Sequence, residues 1–432
     1  MGLMETTNKA RDSIGTAYAY FYECYADDAA FLWLLRTNAV NQPHYDRKAL
    51  AELDERIQAQ LNGLMTAPEE AWNICESSLS LQQPGEVFVA SVIAFRSLDI
   101  RKIQIAVEAG LSDAGTFDAL VSAMAWLPGR LVHSWIKKFL ISKDLDHKYL
   151  ALAVCSARRE DPREYLNSIL QRADCLAHEK LYACALRLIG VLKRFDLLPA
   201  LRTGSSAENK IVKFWSLWSQ ILLGDKQLAV QLDPWVFNEN PLQHTAIELC
   251  FRSLPVEIAR EWISRLAKNP DNIRATIHAS TVLGDPQAIN WLLIQMRTPV
   301  LSRVSAEAFS TITGIDLEAH KLVLDDIPEL DNYLPDDGAK NEEFYIDDDQ
   351  HLPFPDTNKI AAVWQKYQQR FALGHRYFMG QKLANNQQHL EYLQGIFNSG
   401  MQRQRSAAAL EISLYDTSQY LLDHTEKSIK DD

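Results

Sequence analysis

The sequence predicts an all-α protein built as an α-solenoid of helical hairpins, with helical caps at its N- and C-terminal ends. Two observations support this prediction. Short breaks made of Gly, Asp or Pro recur from residue 99 onward, at spacings of 29 to 35 residues. Between the breaks, apolar residues recur every three or four positions, which is helical spacing. A single hairpin cannot cover its own apolar stripe, so repeated hairpins are expected to stack and share one core.

The breaks contain residues that start and end helices. At Gly284-Asp285-Pro286, we expect Asp285 to cap the second helix of a pair and Pro286 to occupy its first position. Gly314 is predicted to end a helix at residues 303–313. An irregular helical domain with evenly spaced turns is the alternative. The eight break residues are Asp99, Pro128, Asp161, Asp196, Asp225, Pro255, Asp285 and Asp316.

Four segments make up the predicted organisation. Residues 1–95 form an N-terminal helical cap, and residues 96–324 form the repeat solenoid. Residues 325–356 are an acidic linker or loop, and residues 357–432 form a C-terminal helical block. In the cap, the helix predicted at residues 47–64 has its apolar residues on one face: Leu50, Leu53, Ile57 and Leu61.

The C-terminal block is predicted to contain three helices. Thr357 is expected to cap the first, which ends at Gly374. Two further helices are predicted at about residues 386–397 and 401–422.

Composition excludes several classes of protein. Of 432 residues, 47% are hydrophobic and 23% charged, with 17 Gly and 16 Pro, which is not a collagen-like or broadly disordered composition. The longest charge-free stretches have eleven residues, too few for a membrane-spanning helix. The six cysteines never form C-x-x-C and lie mostly among apolar neighbours. We therefore expect buried reduced thiols and a soluble, cytoplasmic protein.

The net charge of −12 is concentrated in one segment. Residues 325–356 contain twelve acidic residues and one basic residue, Lys340. Because nucleic-acid affinity comes mainly from lysine and arginine contacts to phosphates, this distribution disfavours a nucleic-acid partner. The segment is either a solvated loop or a docking segment whose aromatic side chains anchor a basic protein partner. Those aromatic residues are Tyr333, Phe344, Tyr345 and Phe354.

Sequence patterns for catalysis, nucleotide binding and metal binding are absent or incomplete. The strings G-x-x-x-x-G-K-[ST], G-x-G-x-x-G and G-x-S-x-G do not occur. Ser134 and Lys137 fit S-x-x-K without its companion motifs, and residues 347–349 lack the spacing of a calcium-binding EF-hand. His178-Glu179 is one His-Glu pair, whereas a metal needs several converging ligands. We therefore predict no catalytic, cofactor-binding or metal-ligating residue.

Several strings are more specific than helical periodicity. They are FLWLLR at 31–36, LDER at 53–56, GEVF at 85–88, LPFPD at 352–356 and QRQRSAA at 402–408. Together with the break at 284–286, they resemble an uncharacterised bacterial family of HEAT-like repeat proteins over nearly the whole chain. Members of that family are often encoded beside spike and effector genes of the type VI secretion system. The resemblance implies an accessory role in loading or delivering an effector, and it supplies no catalytic residue.

One string departs from the family pattern. Residues 58–64 read QAQLNGL, where the resemblance implies a histidine and an acidic residue. This departure argues further against a metal role for that stretch.

Our leading hypothesis is a non-enzymatic scaffold that binds another protein, with a secretion effector or spike component as the partner and an adaptor or chaperone role. Arg56, Arg403 and Arg405 lie in family-like strings and are candidate partner-binding residues, together with the four aromatic residues of the acidic segment. Salt bridges that join the caps are the structural alternative for these arginines. A second hypothesis is a HEAT-like repeat enzyme, glycosylase-like or lyase-like, that acts on nucleic acid or a prosthetic group. A third is an immunity-like inhibitor of a basic toxin.

Overall fold

The computed structural model describes residues 2–325, 349–384 and 386–427, with side chains from Tyr20 onward. Within these ranges the chain is all-α, with 22 α-helices and two strands of two residues each, which confirms the predicted fold class. The stacking of all hairpins into one solenoid stays a prediction. No helix in the described ranges is both long and apolar enough to cross a membrane.

The chain forms two compact units. Unit 1 contains residues 1–41, 45–215 and 423–432, whereas unit 2 contains residues 42–44 and 216–422. All six cysteines are free thiols, four of them buried and two half-buried.

Unit 1 holds the first twelve α-helices, and the boundary between the units falls within α13. The helices are α1 (Gly2–Ala39), α2 (Arg47–Leu64), α3 (Pro68–Ser78), α4 (Pro84–Ser97), α5 (Ile100–Gly110), α6 (Ala114–Trp126), α7 (Gly129–Ile141), α8 (Leu145–Arg158), α9 (Glu164–Gln171), α10 (Ala173–Ala177), α11 (Glu179–Val191), α12 (Leu198–Gly204) and α13 (Lys210–Leu222). Short 3₁₀ turns lie at Leu79–Leu81 and Phe195–Leu197.

Aspartates start several helices of unit 1. Asp99 accepts hydrogen bonds from the backbone N–H groups of Arg101 (2.8 Å) and Lys102 (3.3 Å) at the start of α5. Asp46 caps α2 by accepting a hydrogen bond from the N–H of Ala49 at 2.7 Å. These caps satisfy N–H groups that the first helical turn leaves without a partner. The break at Asp99 therefore has the local chemistry that the sequence predicts.

The first helices of successive hairpins pack side by side in unit 1. Helix α4 contacts α6, α6 contacts α8, and α8 contacts α11. Residues 87–95 of α4 are buried on every face, because α1, α3 and α5 also pack against this helix. A helix that is apolar all round requires such an interior position.

Arg194 ties together two of the predicted breaks. Its guanidinium donates to Asp161 at 2.8 Å and to Asp196 at 2.7 Å, and also to the side-chain oxygen of Asn167 at 2.9 Å. Asp161 and Asp196 lie in successive turns, so one side chain connects two hairpins.

Unit 2 contains the remaining helices and the two strands. They are α14 (Asp233–Val236), α15 (Gln243–Ser253), α16 (Val256–Leu266), α17 (Ile273–Leu283), α18 (Ile289–Gln295), α19 (Pro299–Thr313), α20 (Thr357–Tyr367), β1 (Tyr377–Phe378), β2 (Gln381–Lys382), α21 (Gln387–Ser399) and α22 (Gln402–Tyr415). Short 3₁₀ helices lie at Lys226–Leu232, Pro270–Asn272, Pro286–Ala288 and Gln368–Arg370.

In unit 2 the first helices of successive hairpins also pack in order. Helix α15 contacts α17, and α17 contacts α19. Helix α22 pairs with α21 and also contacts α15. Unit 2 therefore brings together three consecutive repeat helices, α15, α17 and α19, and one C-terminal helix, α22.

Two predicted glycine breaks lie against the segment that contains the strands. Gly284 and Gly314 end α17 and α19 in the left-handed region, each with φ of +70°. The N–H of Tyr377 donates to the carbonyl of Gly284 at 2.8 Å, and that of Met379 donates to Thr311 at 2.6 Å. These bonds satisfy carbonyl groups that the C-terminal turns leave free, so residues 377–380 cap two helices at once.

Helix boundaries differ from the prediction in several places. Helix α19 begins at Pro299 rather than at residue 303, and α20 ends at Tyr367 rather than at Gly374. Asp285 accepts from the N–H of Gln287 as expected, but Pro286 opens a 3₁₀ turn before α18 begins. Asp356, rather than Thr357, caps α20. Helix α22 ends at Tyr415 instead of residue 422, because the carboxylate of Asp416 accepts from the N–H of Ser418 and stabilises a turn.

Candidate functional site

The predicted partner-binding arginines lie in different environments. Arg56 is exposed on α2 in unit 1. In unit 2, Arg405 is only 4% exposed, and its Nε donates to the carbonyl of Phe397 at 2.9 Å. Arg403 donates through Nη1 to Glu307 of α19 at 2.7 Å, which joins α22 to the repeat helices. Arg405 therefore has a packing role, whereas Arg403 belongs to a charged cluster.

The ends of the predicted acidic segment lie in unit 2. The N–H of Leu324 donates to the carbonyl of Phe354 at 2.9 Å, and the N–H of Asp356 donates to Leu322 at 2.8 Å. The half-buried ring of Phe354 lies 4.8 Å from the guanidinium carbon of Arg303, which is a cation–π distance. Tyr333, Phe344 and Tyr345 lie outside the described residues.

A group of titratable side chains converges on the repeat helices of unit 2. Helix α15 supplies His244 and Glu248, which are one helical turn apart, and α17 supplies His278. Glu307 lies on α19. Glu248, His278 and Glu307 are 30 and 29 residues apart, so they occupy corresponding positions of three consecutive hairpins.

His244, Glu248 and His278 are close enough to act on one ligand. One donor atom from each residue lies within 4.8 Å of the other two, and no other group of three such residues occurs in the described part of the chain. The two imidazole rings stack with centroids 4.2 Å apart and an interplanar angle of 18°. Nε2 of His278 lies 3.0 Å from Oε1 of Glu248.

The two carboxylate oxygens of Glu248 have different neighbours. Oε1 faces His278, whereas Oε2 accepts a hydrogen bond from Nη1 of Arg252. The Nε of Arg252 also lies 3.4 Å from Oε1 of Glu411 on α22. Burial alone would raise the pKa of Glu248, but Arg252 and the two histidines hold that pKa well below its usual value. Glu248 is therefore a fixed carboxylate at neutral pH.

Arg403 lies near a second set of titratable side chains, His44 and Glu307. His44 of the segment 42–44 and His351 have ring centroids 3.8 Å apart. Burial, His351 and Arg403 lower the pKa of His44. Burial raises the pKa of Glu307, although its ion pair with Arg403 opposes that shift. The positive charge of Arg403 thus favours the neutral form of His44 and the ionised form of Glu307.

The sequence patterns that we searched do not include this triad. Adjacent His-Glu pairs were the pattern sought, whereas His244 and Glu248 are separated by four positions on one helical face. His278 follows Glu248 after one repeat spacing. A search that combined helical spacing with the repeat period would have found all three residues.

Unit 1 carries a different feature, an exposed apolar stripe on α1. Tyr20, Phe31 and Leu34 are 63%, 64% and 39% exposed. They belong to the series Tyr20, Cys24, Asp27, Phe31 and Leu34, whose alternating steps of four and three are those of a coiled-coil seam with one charged position, Asp27. We call Tyr20, Phe31 and Leu34 the α1 stripe.

The opposite face of α1 is packed. Ala29 and Ala30 are buried, and a Cβ atom on Gly85 of α4 would lie 3.0 Å from that of Ala30, so the two helices approach closely. Trp33 stacks on Phe88 with centroids 4.9 Å apart. Because α1 is held by this face, the α1 stripe is presented on a fixed helix.

Comparisons of this chain with protein-family models, with curated proteins and with solved structures found no match. The proposals below therefore rest on the geometry of the α1 stripe and of the group formed by His244, Glu248 and His278.

Proposed function

We propose that this protein is a non-enzymatic helical scaffold that binds another protein through the α1 stripe. The observation that supports the proposal is the exposure of Tyr20, Phe31 and Leu34 on a helix whose other face is buried. Exposed apolar side chains that cluster on one face are typical of protein-binding surfaces. Aromatic side chains supply much of the energy of such interfaces.

The spacing of the stripe favours a helical partner. Side chains at alternating steps of four and three form a seam that fits between the side chains of a second helix. The resemblance to a HEAT-like family encoded beside type VI secretion genes makes a secretion effector or spike component the first partner to test. In that role the repeat helices would support the stripe rather than perform chemistry.

The test is site-specific crosslinking followed by a binding measurement. A photo-crosslinking residue is placed at Phe31 in the native cells, and the captured protein is identified and purified. We expect the purified partner to bind the unmodified chain. The triple variant Tyr20→Ser, Phe31→Ser, Leu34→Ser is expected to bind at least about tenfold more weakly, because several anchoring side chains are lost.

Ile141 provides a matched control, since it is 62% exposed in the same unit but lies on α7. Ile141→Ser should leave partner binding unchanged. Equal binding by the unmodified chain and the triple variant, with the helical content preserved, would contradict the proposal. Self-association through the stripe, seen as a dimer that the triple variant loses, would replace the partner protein with a second copy of the chain.

A further inference from the structure

We infer that His244, Glu248 and His278 form a binding site for a divalent transition-metal ion in unit 2. This site is separate from the α1 stripe and does not depend on the proposed partner. Two imidazole nitrogens and one carboxylate oxygen are ligands that Zn²⁺ and Fe²⁺ accept in proteins.

The spacing of the donor atoms suits one ion. Ligand atoms that lie about 2.0–2.2 Å from Zn²⁺ are about 3.3–3.6 Å apart in a tetrahedral site. The three donor atoms already lie within 4.8 Å of one another, and His278 Nε2 is 3.0 Å from Glu248 Oε1. Small side-chain rotations therefore bring all three to ligand distance.

One ring nitrogen of His278 is buried without a well-directed hydrogen bond. Its Nε2 is shielded from solvent and has no hydrogen-bond partner of acceptable geometry among the described residues, although Glu248 Oε1 is only 3.0 Å away. A buried polar atom without a partner is costly, and coordination of a metal would remove that cost. The approach of Oε1 is close enough for a shared ion but not directed as a hydrogen bond.

Glu248 is oriented as metal-binding carboxylates usually are. Arg252 holds Oε2 by a hydrogen bond, which leaves Oε1 on the side of the two histidines. A hydrogen bond to the second carboxylate oxygen fixes the ligand and limits the entropy lost on binding. Arg252 therefore acts as a positioning residue and does not occupy the ligand oxygen.

Charge around the triad is balanced, so a cation does not enter a strongly positive environment. The three arginines near the cluster each contact a glutamate. The pairs are Arg252 with Glu248, Arg376 with Glu411, and Arg403 with Glu307.

The site is reachable from solvent and incomplete as a ligand set. His244 is exposed, whereas the side chains of Glu248 and His278 are 20% and 25% exposed. Three protein ligands leave at least one coordination position for water or another ligand. Helices α15 and α17 pack together, so the ligands are held on rigid elements.

The experiment is titration of the chelator-treated full chain with Co²⁺, and separately with Zn²⁺ by calorimetry. We expect one ion per chain, with visible d–d absorption bands of a low-coordinate Co²⁺ site and no thiolate charge-transfer band. His244→Ala and His278→Ala should each weaken Zn²⁺ binding at least about tenfold, because each removes one of three ligands. Glu248→Gln keeps the side-chain size and serves as the ligand variant if an alanine variant fails to fold.

His133 provides the matched control, since its Nε2 lies 3.1 Å from Glu160 in unit 1 and, among the described residues, it belongs to no group of three possible metal ligands. His133→Ala should bind Zn²⁺ as the unmodified chain does. Absence of Co²⁺ and Zn²⁺ binding, thiolate bands that assign the ion to cysteines, or equal binding by a folded His244→Ala/His278→Ala double variant would overturn the inference. None of these outcomes affects binding through the α1 stripe, so the two proposals fail separately.

Discussion

The two units use the same kind of helical hairpin, and two of their ion-pair networks differ in how far the acidic side chains are exposed. In unit 1, Arg194 joins Asp161 and Asp196 in successive turns; the arginine side chain is 16% exposed, and the two carboxylate side chains are 26% and 55% exposed. In unit 2, Arg252 and Arg376 both contact Glu411 in the interior, and the Arg252 side chain is only 4% exposed. The carboxylates of the turn network are thus partly exposed, whereas Glu411 of α22 is enclosed with its two arginines.

This difference has energetic consequences. A solvent-exposed ion pair contributes little, because water screens both charges and the side chains lose entropy. A buried pair adds little net stability over an apolar pair, but removal of one partner leaves an uncompensated charge. Substitutions of the same type are therefore expected to cost more in the network of Arg252, Arg376 and Glu411 than in the network of Arg194.

The largest expected effect tests the buried network of unit 2. Arg376 contacts Glu411 and donates to the carbonyls of Arg252 at 3.1 Å and Leu283 at 3.2 Å, near the ends of α15 and α17. Arg376→Met should lower the free energy of unfolding by about 3–5 kcal/mol, because Glu411 loses a partner and the carbonyls lose a cationic donor. Urea unfolding followed by circular dichroism measures this change.

Arg370→Met is the control, since Arg370 is exposed in the same unit and lies over the ring of Tyr367 at 4.7 Å. We expect a change within about 0.5 kcal/mol. If Arg376→Met and Arg370→Met lower the free energy of unfolding equally, burial of the arginine does not determine the loss.

A smaller effect is expected where unit 2 closes its helices against residues 377–380. A Cβ at Gly284 would lie 2.1 Å from the carbonyl oxygen of Tyr377, and the residue has φ of +70°. Gly284→Ala should cost about 2–3 kcal/mol, because the backbone must shift and the left-handed conformation is strained for alanine. Thermal unfolding of the variant measures the loss.

Gly395 is a glycine of the same unit at which substitution by alanine is expected to raise stability instead of lowering it. It lies inside α21, and a Cβ there would meet no atom within 4 Å. Gly395→Ala should raise stability by about 0.5–1 kcal/mol, because alanine favours the helix. Destabilisation by both substitutions would show that helix propensity does not govern the exposed position.

The smallest expected effect tests the turn network of unit 1. The hydrogen bond from Arg194 lowers the pKa of Asp196, so this pair stabilises the fold at a pH above the unfolded pKa. Arg194→Gln should cost less than about 1 kcal/mol at pH 7. The difference from the unmodified chain should disappear as the pH falls through the lowered pKa of Asp196, as measured by urea unfolding at several pH values.

Arg202, exposed on α12, provides the control for that substitution. Arg202→Gln should leave both the stability and its pH dependence unchanged. A cost of Arg194→Gln that persists at low pH would mean that its bond to Asn167 matters more than its ion pairs.

Much of the fold could be predicted from local sequence. All eight predicted break residues lie outside the α-helices, at caps, turns or 3₁₀ segments, because Asp, Gly and Pro act on the backbone next to them. The apolar series of α2 lies buried as expected, since helical spacing alone puts Leu50, Leu53, Ile57 and Leu61 on one face. The predicted end of α22 at residue 422 is wrong, because the turn at Asp416 competes with helical hydrogen bonds.

The functional features were less accessible to sequence reasoning. Phe31 and Trp33 lie two positions apart in one family-like string, yet Phe31 is 64% exposed and Trp33 is 4% exposed. This difference in exposure depends on which face of α1 packs against α4, and the hydrophobicity of the two residues alone does not predict it. Arg403 lies in a family-like string, but its partner Glu307 is 96 residues away along the chain.

The amino-acid sequence by itself determined the helices, the breaks and their period, because each depends on interactions between residues a few positions apart. Tertiary structure decided which of the polar residues meet. His244 and Glu248 share a helix, but His278 joins them only because α15 and α17 pack together, and Arg403 approaches only where α22 lies. Such contacts depend on the packing of distant segments, and no local pattern specifies that packing.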